Sequence, residues 1–320
     1  MVTDYPFRNT WHFLGFELRF FANQPLPLEI LTEQYLYSNS ADSAILRDRF
    51  DFYVAIVADD GGDTTWNTSL QHCYDGLTGR LQLSYLNGAI QVSVDYRTKT
   101  VRASIMERAL LYRTALSNWV FTIPLSELLK LHQLYLIHAA CLMKGGGGVL
   151  FAGRSGSGKT TLSIGLLTAG WQLISDDESF LQDNTEFWAY GGPEKAKVSW
   201  TTWRRFGYYL GERERFNGKQ IIHLGDYFPG QLRPRQRLSA ICFVEQAERI
   251  ALHAMDPIQA YQNLLSVAFL NSEPQLSRRT NDFLYRLSRT IPAYRLHSNL
   301  DFRALDQLLT HASSNSANTD

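Results

Sequence analysis

Between Trp11 and Phe20, apolar Leu14, Phe16, Leu18 and Phe20 alternate with Gly15, Glu17 and Arg19, the period of a half-buried strand. Pro27 to Tyr35 spaces Leu28, Leu31 and Tyr35 as a short helix. The run Phe52 to Ala58 predicts a second, more fully buried strand, closed by a solvated turn at Asp59-Asp60-Gly61-Gly62-Asp63. Leu81 to Leu86 and Ile90 to Tyr96 flank Asn87-Gly88, the dipeptide that most strongly signals a hairpin, and Val101 to Ile105 adds another strand. Helices are expected from Met106 to Asn118 and from Pro124 to Leu134. Residues 1–123 therefore read as a small α+β domain of helix and antiparallel sheet, a substrate or partner domain with no catalytic pattern.

From 124 to 310 strands and helices alternate. Leu136 to Met143 predicts a strand holding His138 and Cys141, four glycines (145–148) its hairpin tip, and Val149 to Ala152 the return strand. A helix beginning at Thr161 carries Leu162, Leu166 and Leu167 and ends at Gly170, a natural left-handed cap. Trp171 to Ser175 is then a short strand with Asp176 and Asp177 at its C-terminal end, where ligands collect in open α/β sheets. Farther on come a turn at Trp188 to Pro193, a segment with Trp200 and Trp203, and a polar excursion from Gly207 to Pro229. The basic run Arg233-Pro234-Arg235-Gln236-Arg237, either a phosphate clamp or a solvated loop, precedes a buried strand from Leu238 to Val244. Asp256 caps a helix with Pro257 at its first position, and a helix from Phe283 to Ser288, a strand from Ala293 to His297 and a helix from Asp301 to Leu309 complete the pattern. Residues 311–320 are polar and aperiodic, a disordered tail.

Composition narrows the function classes. With 320 residues, 45% hydrophobic, the chain can bury one large core or two modest ones. Its 31 basic and 31 acidic residues cancel, so no global field points to nucleic acid. Three cysteines without C-x-x-C spacing indicate neither a disulfide framework nor a zinc site. No signal-peptide pattern and no membrane-length apolar stretch occur, so a cytoplasmic protein with no membrane partner is expected.

The chemistry gathers at Gly153-Arg154-Ser155-Gly156-Ser157-Gly158-Lys159-Thr160, which satisfies G-x-x-x-x-G-K-[ST] between a predicted strand and a predicted helix. Glycines there let successive N–H groups turn inward around phosphate oxygens at a helix N-terminus. Lys159 adds a cation for the β- and γ-phosphates, the Thr160 hydroxyl is placed to ligate Mg²⁺, and Thr161 opens the helix. Asp176 and Asp177 are the carboxylates best placed to complete such a site. Strand residues alternate in direction, so the two should not share one role: Asp176 is assigned as acceptor base and Asp177 to metal or supporting contact, with the reverse order open.

The block from His138 through Val149-Leu150-Phe151-Ala152 and the phosphate loop to Gly170-Trp171-Gln172-Leu173-Ile174-Ser175-Asp176-Asp177 resembles the catalytic domain of HPr kinase/phosphorylase and of HPr-kinase-related proteins in peptide-tailoring gene clusters. The resemblance covers about residues 134–180. It implies a phosphoenolpyruvate-carboxykinase-like P-loop nucleotide-binding fold with a mixed, twisted sheet, His138 beneath the active site, and the first aspartate as acid/base. The family's glutamate- and glycine-rich signature is missing downstream, where Tyr190-Gly191-Gly192-Pro193-Glu194-Lys195-Ala196-Lys197 stands, with Glu194 its nearest substitute. The expectation is an ATP- and Mg²⁺-dependent kinase that phosphorylates a hydroxyl, a Ser/Thr side chain of a peptide or small protein, with a small hydroxylated metabolite as the variant acceptor. Its catalytic residues would be Lys159, Asp176, Asp177 and His138. The rival is a nucleotide-sensing regulator or scaffold without phosphotransfer. Base preference and homo-oligomer formation stay open.

Overall fold

In a computed structural model the described residues are 4–35, 47–59, 61, 70–112, 116–191, 195–210, 215–216, 219–268 and 273–315. The chain is a mixed α/β protein with several sheets, and its contacts divide it into Met1–Gln133 with Asn271–Arg278, and Leu134–Leu270 with Arg279–Asp320.

In the first unit β1 (Phe7–Phe13), β2 (Phe16–Ala22), β3 (Asp48–Val57), β4 (Gln71–Asp75), β5 (Arg80–Tyr85), β6 (Ile90–Asp95) and β7 (Thr100–Met106) form one sheet in the order β1-β2-β3-β7-β6-β5-β4. The pairs β2/β3 and β3/β7 are parallel and the others antiparallel, so the sheet is mixed rather than antiparallel as expected. The strand read across Leu14 is two strands. Phe13 faces Phe16, and Leu14 and Gly15 both have positive φ (52° and 82°), the tight hairpin geometry that follows strand twist. Leucine gives no turn signal, which hid the reversal. At Asn87-Gly88 the loop spans residues 86–89, because Tyr85 pairs with Ile90. Asp60, Gly62 and Asp63 lie outside the described residues.

One face of this sheet buries Leu18, Phe20, Phe52, Leu83, Val92 and Val101 against the helical run after β7, with Phe121 set edge-on to Phe20 at 5.7 Å. That run is continuous across the expected boundary at 123/124. A π-helical turn, Ser117–Thr122, leads into the helix Ile123–Leu129, with Pro124 at the junction between the two. Glu127, which accepts from Tyr96 Oη (2.9 Å) and Lys130 Nζ (2.6 Å), ties this helix to the first unit, and the division falls after Gln133 instead.

The second unit contains β8 (Leu134–Ile137), β9 (Ala139–Lys144), β10 (Gly147–Ala152), β11 (Gln172–Ser175), β12 (Ser179–Asn184), β13 (Glu186–Tyr190), β14 (Lys195–Ser199), β15 (Arg215–Phe216), β16 (Lys219–His223), β17 (Arg235–Gln246), β18 (Ala251–Met255) and β19 (Ala293–Ser298). Its main sheet runs β11-β9-β10-β17-β13-β12-β8, with β19 on the far half of β17 and β18 outside it. β10, β17 and β19 are mutually parallel; their neighbours are antiparallel. β10 shows why this sheet is buried on both faces. Val149 and Phe151 pack with Leu162, Leu166, Leu305 and Leu309, whereas Leu150 and Ala152 pack with Leu264, Phe283 and Leu287. The helices Lys159–Thr168 and Phe302–Asn315 therefore cover one face, and Pro257–Val267 and Pro274–Thr290 the other. The last helix continues beyond Leu309 to Asn315, so residues 311–315 of the expected tail are helical, and 316–320 lie outside the described residues. Among the described residues, no helix is long and apolar enough to cross a membrane.

Candidate functional site

The stretch Leu136 to Met143 is broken at His138, where β8, paired with β12, gives way to β9, paired with β10 and β11. His138 N–H donates to the Val267 carbonyl at 2.8 Å, which leaves its imidazole off the strand ladder and on a cavity wall. The phosphate loop lies at the carboxyl end of β10, beside that of β17, where Gln246 Nε2 donates to the Gly156 carbonyl at 3.0 Å.

The loop's glycines do what the spacing requires. Gly156 (φ 84°) has no atom within 4 Å of where a Cβ would stand, and Gly158 (φ 97°) sits left-handed as the cap of the helix Lys159–Thr168. Open space beside loop backbone at a helix N-terminus suits an anion. Lys159, buried, turns back to donate to the carbonyls of Gly153 (2.7 Å) and Arg154 (3.3 Å).

A cavity of about 370 Å³ opens over the loop, lined by Ser155, Gly156, Gly158, Lys159, Thr160 and Thr161 on one side and by His138, Asp177, Lys197, Ser199, Thr201, Thr202 and Gln246 around them. Of the expected nucleotide contacts, Gly153, Arg154 and Ser157 do not line it. Gly153 sits at the base of the loop, where a Cβ would lie 2.8 Å from Ser157 Oγ and 2.9 Å from the Val244 carbonyl. Ser157 Oγ is buried without a hydrogen-bond partner among the described residues.

The two aspartates separate, though not by strand alternation. β11 ends at Ser175, and Asp177 takes a left-handed conformation (φ 73°), so a turn sets their directions. Asp176, 4% exposed, accepts from Thr160 Oγ1 (3.2 Å) and Ser163 Oγ (2.8 Å) and is absent from the cavity wall. Asp177 lines the cavity, its Oδ1 3.3 Å from His138 Nδ1. The preferred order of the pair is thus reversed in space: the carboxylate that reaches the cavity is the second. His138 Nδ1 is also 3.1 Å from the Asp177 carbonyl, which can only accept, so Nδ1 carries the proton.

Burial, with Asp177 next in effect, pushes the Asp176 carboxyl up to about 7 against its hydrogen bonds from Ser163 and Thr160. Burial lowers the His138 pKa; Asp177 opposes this while Lys159 and Lys197 reinforce it, keeping the imidazole neutral at pH 7. Burial also raises Glu178 to about 7, with Lys197 opposing.

Sequence reasoning missed Ser163, Lys197, Ser199, Thr201, Thr202 and Gln246. Ser163 had a signal, its place one turn after Thr160 on the loop's helix. The others come from β14, β17 and the helix Trp200–Leu210, distant along the chain. Thr161 Oγ1 and Thr202 Oγ1 share a 2.5 Å hydrogen bond that joins these helices. The basic run lies elsewhere: Arg235 and Arg237 start β17, at the end opposite Gln246, with Arg235 over Trp188 and Arg237 paired to Glu186. Glu194 lies outside the described residues. Among those described, no group of three or more His, Cys, Asp or Glu side chains is placed to hold a metal.

No family model matches the chain, and no curated protein matches it. Among solved structures, the Hpr(Ser) kinase/phosphatase from Coxiella burnetii is a distant structural neighbour, 15% identical with a TM-score of 0.34, over 56% of this chain and 88% of that one.

Proposed function

We propose that the protein is a kinase that transfers the γ-phosphoryl group of ATP to a hydroxyl of a peptide or small protein, on a phosphoenolpyruvate-carboxykinase-like nucleotide-binding domain. The observation that carries this reading is a glycine-opened phosphate loop and an Asp177–His138 pair lining the same cavity. A phosphate loop by itself implies nucleotide binding; the opposed carboxylate adds a group able to take a proton.

The residues fit ATP with Mg²⁺. The space beside Gly156 admits phosphate oxygens, and Thr160 Oγ1 is held by Asp176, so one protein oxygen is oriented for a metal whose other positions phosphates and waters can fill. Bound Mg²⁺ would supply charge neutralisation at the phosphates. Lys159 leaves its own loop's carbonyls for the β- and γ-phosphate oxygens. Asp177 orients the acceptor hydroxyl and takes its proton; the acceptor oxygen bonds to the γ-phosphorus as the bond to the bridging oxygen breaks, leaving ADP. His138 positions Asp177 through Nδ1, and Asp176 positions Thr160. A cavity of about 370 Å³ cannot enclose both nucleotide and a folded acceptor, so the acceptor presents its hydroxyl from outside.

With radiolabelled ATP and candidate peptides, wild type should transfer label. Asp177→Asn should lower the rate by about 10²–10⁴-fold with nucleotide still bound. Full transfer by that variant would remove Asp177 from its role, and nucleotide binding without labelling of any acceptor would favour the regulator.

A further inference from the structure

We infer that Lys197, on β14, is a second phosphate-binding cation, directed at the γ-phosphate and complementary to Lys159; this rests on the nucleotide reading of the cavity. Lys197 lines the same cavity as Gly156, Gly158, Lys159 and Thr160 but comes from a different element. No ion pair among the described residues engages its ammonium. Glu178, half-buried, lies within its field, and its Oε2 atom is buried without a hydrogen-bond partner among the described residues. An anion bound in the cavity would give this half-buried ammonium a counter-charge there.

Position selects the γ-phosphate over the others. The loop and helix N-terminus account for the inner phosphates, which lie on the Gly156–Thr160 side. Lys159, Lys197, His138 and Asp177 all line the one cavity, so two ammonium groups and the carboxylate share its wall. A phosphoryl group in transfer spreads charge over three equatorial oxygens while a base waits in line with it, and that region offers cations for the first and a carboxylate for the second. The basic run that sequence suggested as a phosphate clamp is at the other end of β17.

The test compares MgATP with MgADP by calorimetry on wild type, Lys197→Gln and Lys197→Arg, with circular dichroism to verify folding. Lys197→Gln should lose about tenfold or more in ATP affinity and less than about twofold in ADP affinity, as expected for one charge-assisted contact. Lys197→Arg should recover most of the loss. Equal loss for both nucleotides, or none, in a folded variant would overturn the inference while leaving the kinase reading intact. Wild type binding neither nucleotide would overturn both.

Discussion

Asp176 shows how one residue couples the site to stability. Its carboxyl, ordinarily near 3.8, is pushed to about 7 in the fold, mainly by burial. A folded-state pKa above the unfolded one means that the group's favourable contribution is complete below the unfolded value and disappears as pH rises through about 7. Nucleotide-free protein in a chelator should therefore lose stability between about pH 4 and pH 8, and Asp176→Asn should flatten that slope, melting above wild type at about pH 8. Parallel melting curves for the two proteins across this range would show that Asp176 is not the group responsible. Asp177, two-thirds buried, lines the cavity instead, with its Oδ1 3.3 Å from His138 Nδ1.

Between elements, the site depends on how closely the phosphate-loop helix approaches the C-terminal helix. A Cβ at Gly165 would lie 2.1 Å from the Phe302 ring, so Gly165→Ala requires that ring or one of the two helices to shift. Overpacking of this kind costs about 1–3 kcal/mol or more. Denaturant unfolding should record that loss, and adding Phe302→Ala should recover part of it; strict additivity of the two substitutions would refute direct contact. Nearby, Asp306 accepts from Lys144 Nζ (2.7 Å) and Trp171 Nε1 (2.8 Å), anchoring the same C-terminal helix to β9 and to the residue just before β11. Much of this was legible beforehand. The helix after the loop, the cap at Asp256 with its bonds to the N–H groups of Ile258 and Gln259, and most of the alternating strands follow from local rules. The turn at Leu14 and the break at His138 did not, because leucine and histidine carry no local signal for either.

For the whole molecule, the proposed function predicts that nucleotide stabilises only what it touches. At a concentration of 100 Kd, ATP would add about 2.7 kcal/mol to the state that binds it. Hydrogen exchange should slow in the phosphate loop, its helix and β14, while β1–β7 keep their nucleotide-free rates; protection spread equally over both units would contradict a site confined to the second unit. The chain order of residues gave the loop, its helix, and the presence of His138, Asp176 and Asp177 nearby, because glycines at fixed spacing between a strand and a helix need only local backbone geometry to form that turn. Tertiary structure alone decided which aspartate reaches the cavity, brought Lys197, Thr202 and Gln246 to its walls, and carried the arginine run to the opposite end of β17. Those outcomes depend on a turn beyond β11 and on pairings between strands far apart in the chain, and no periodicity within a segment encodes where a distant segment will lie.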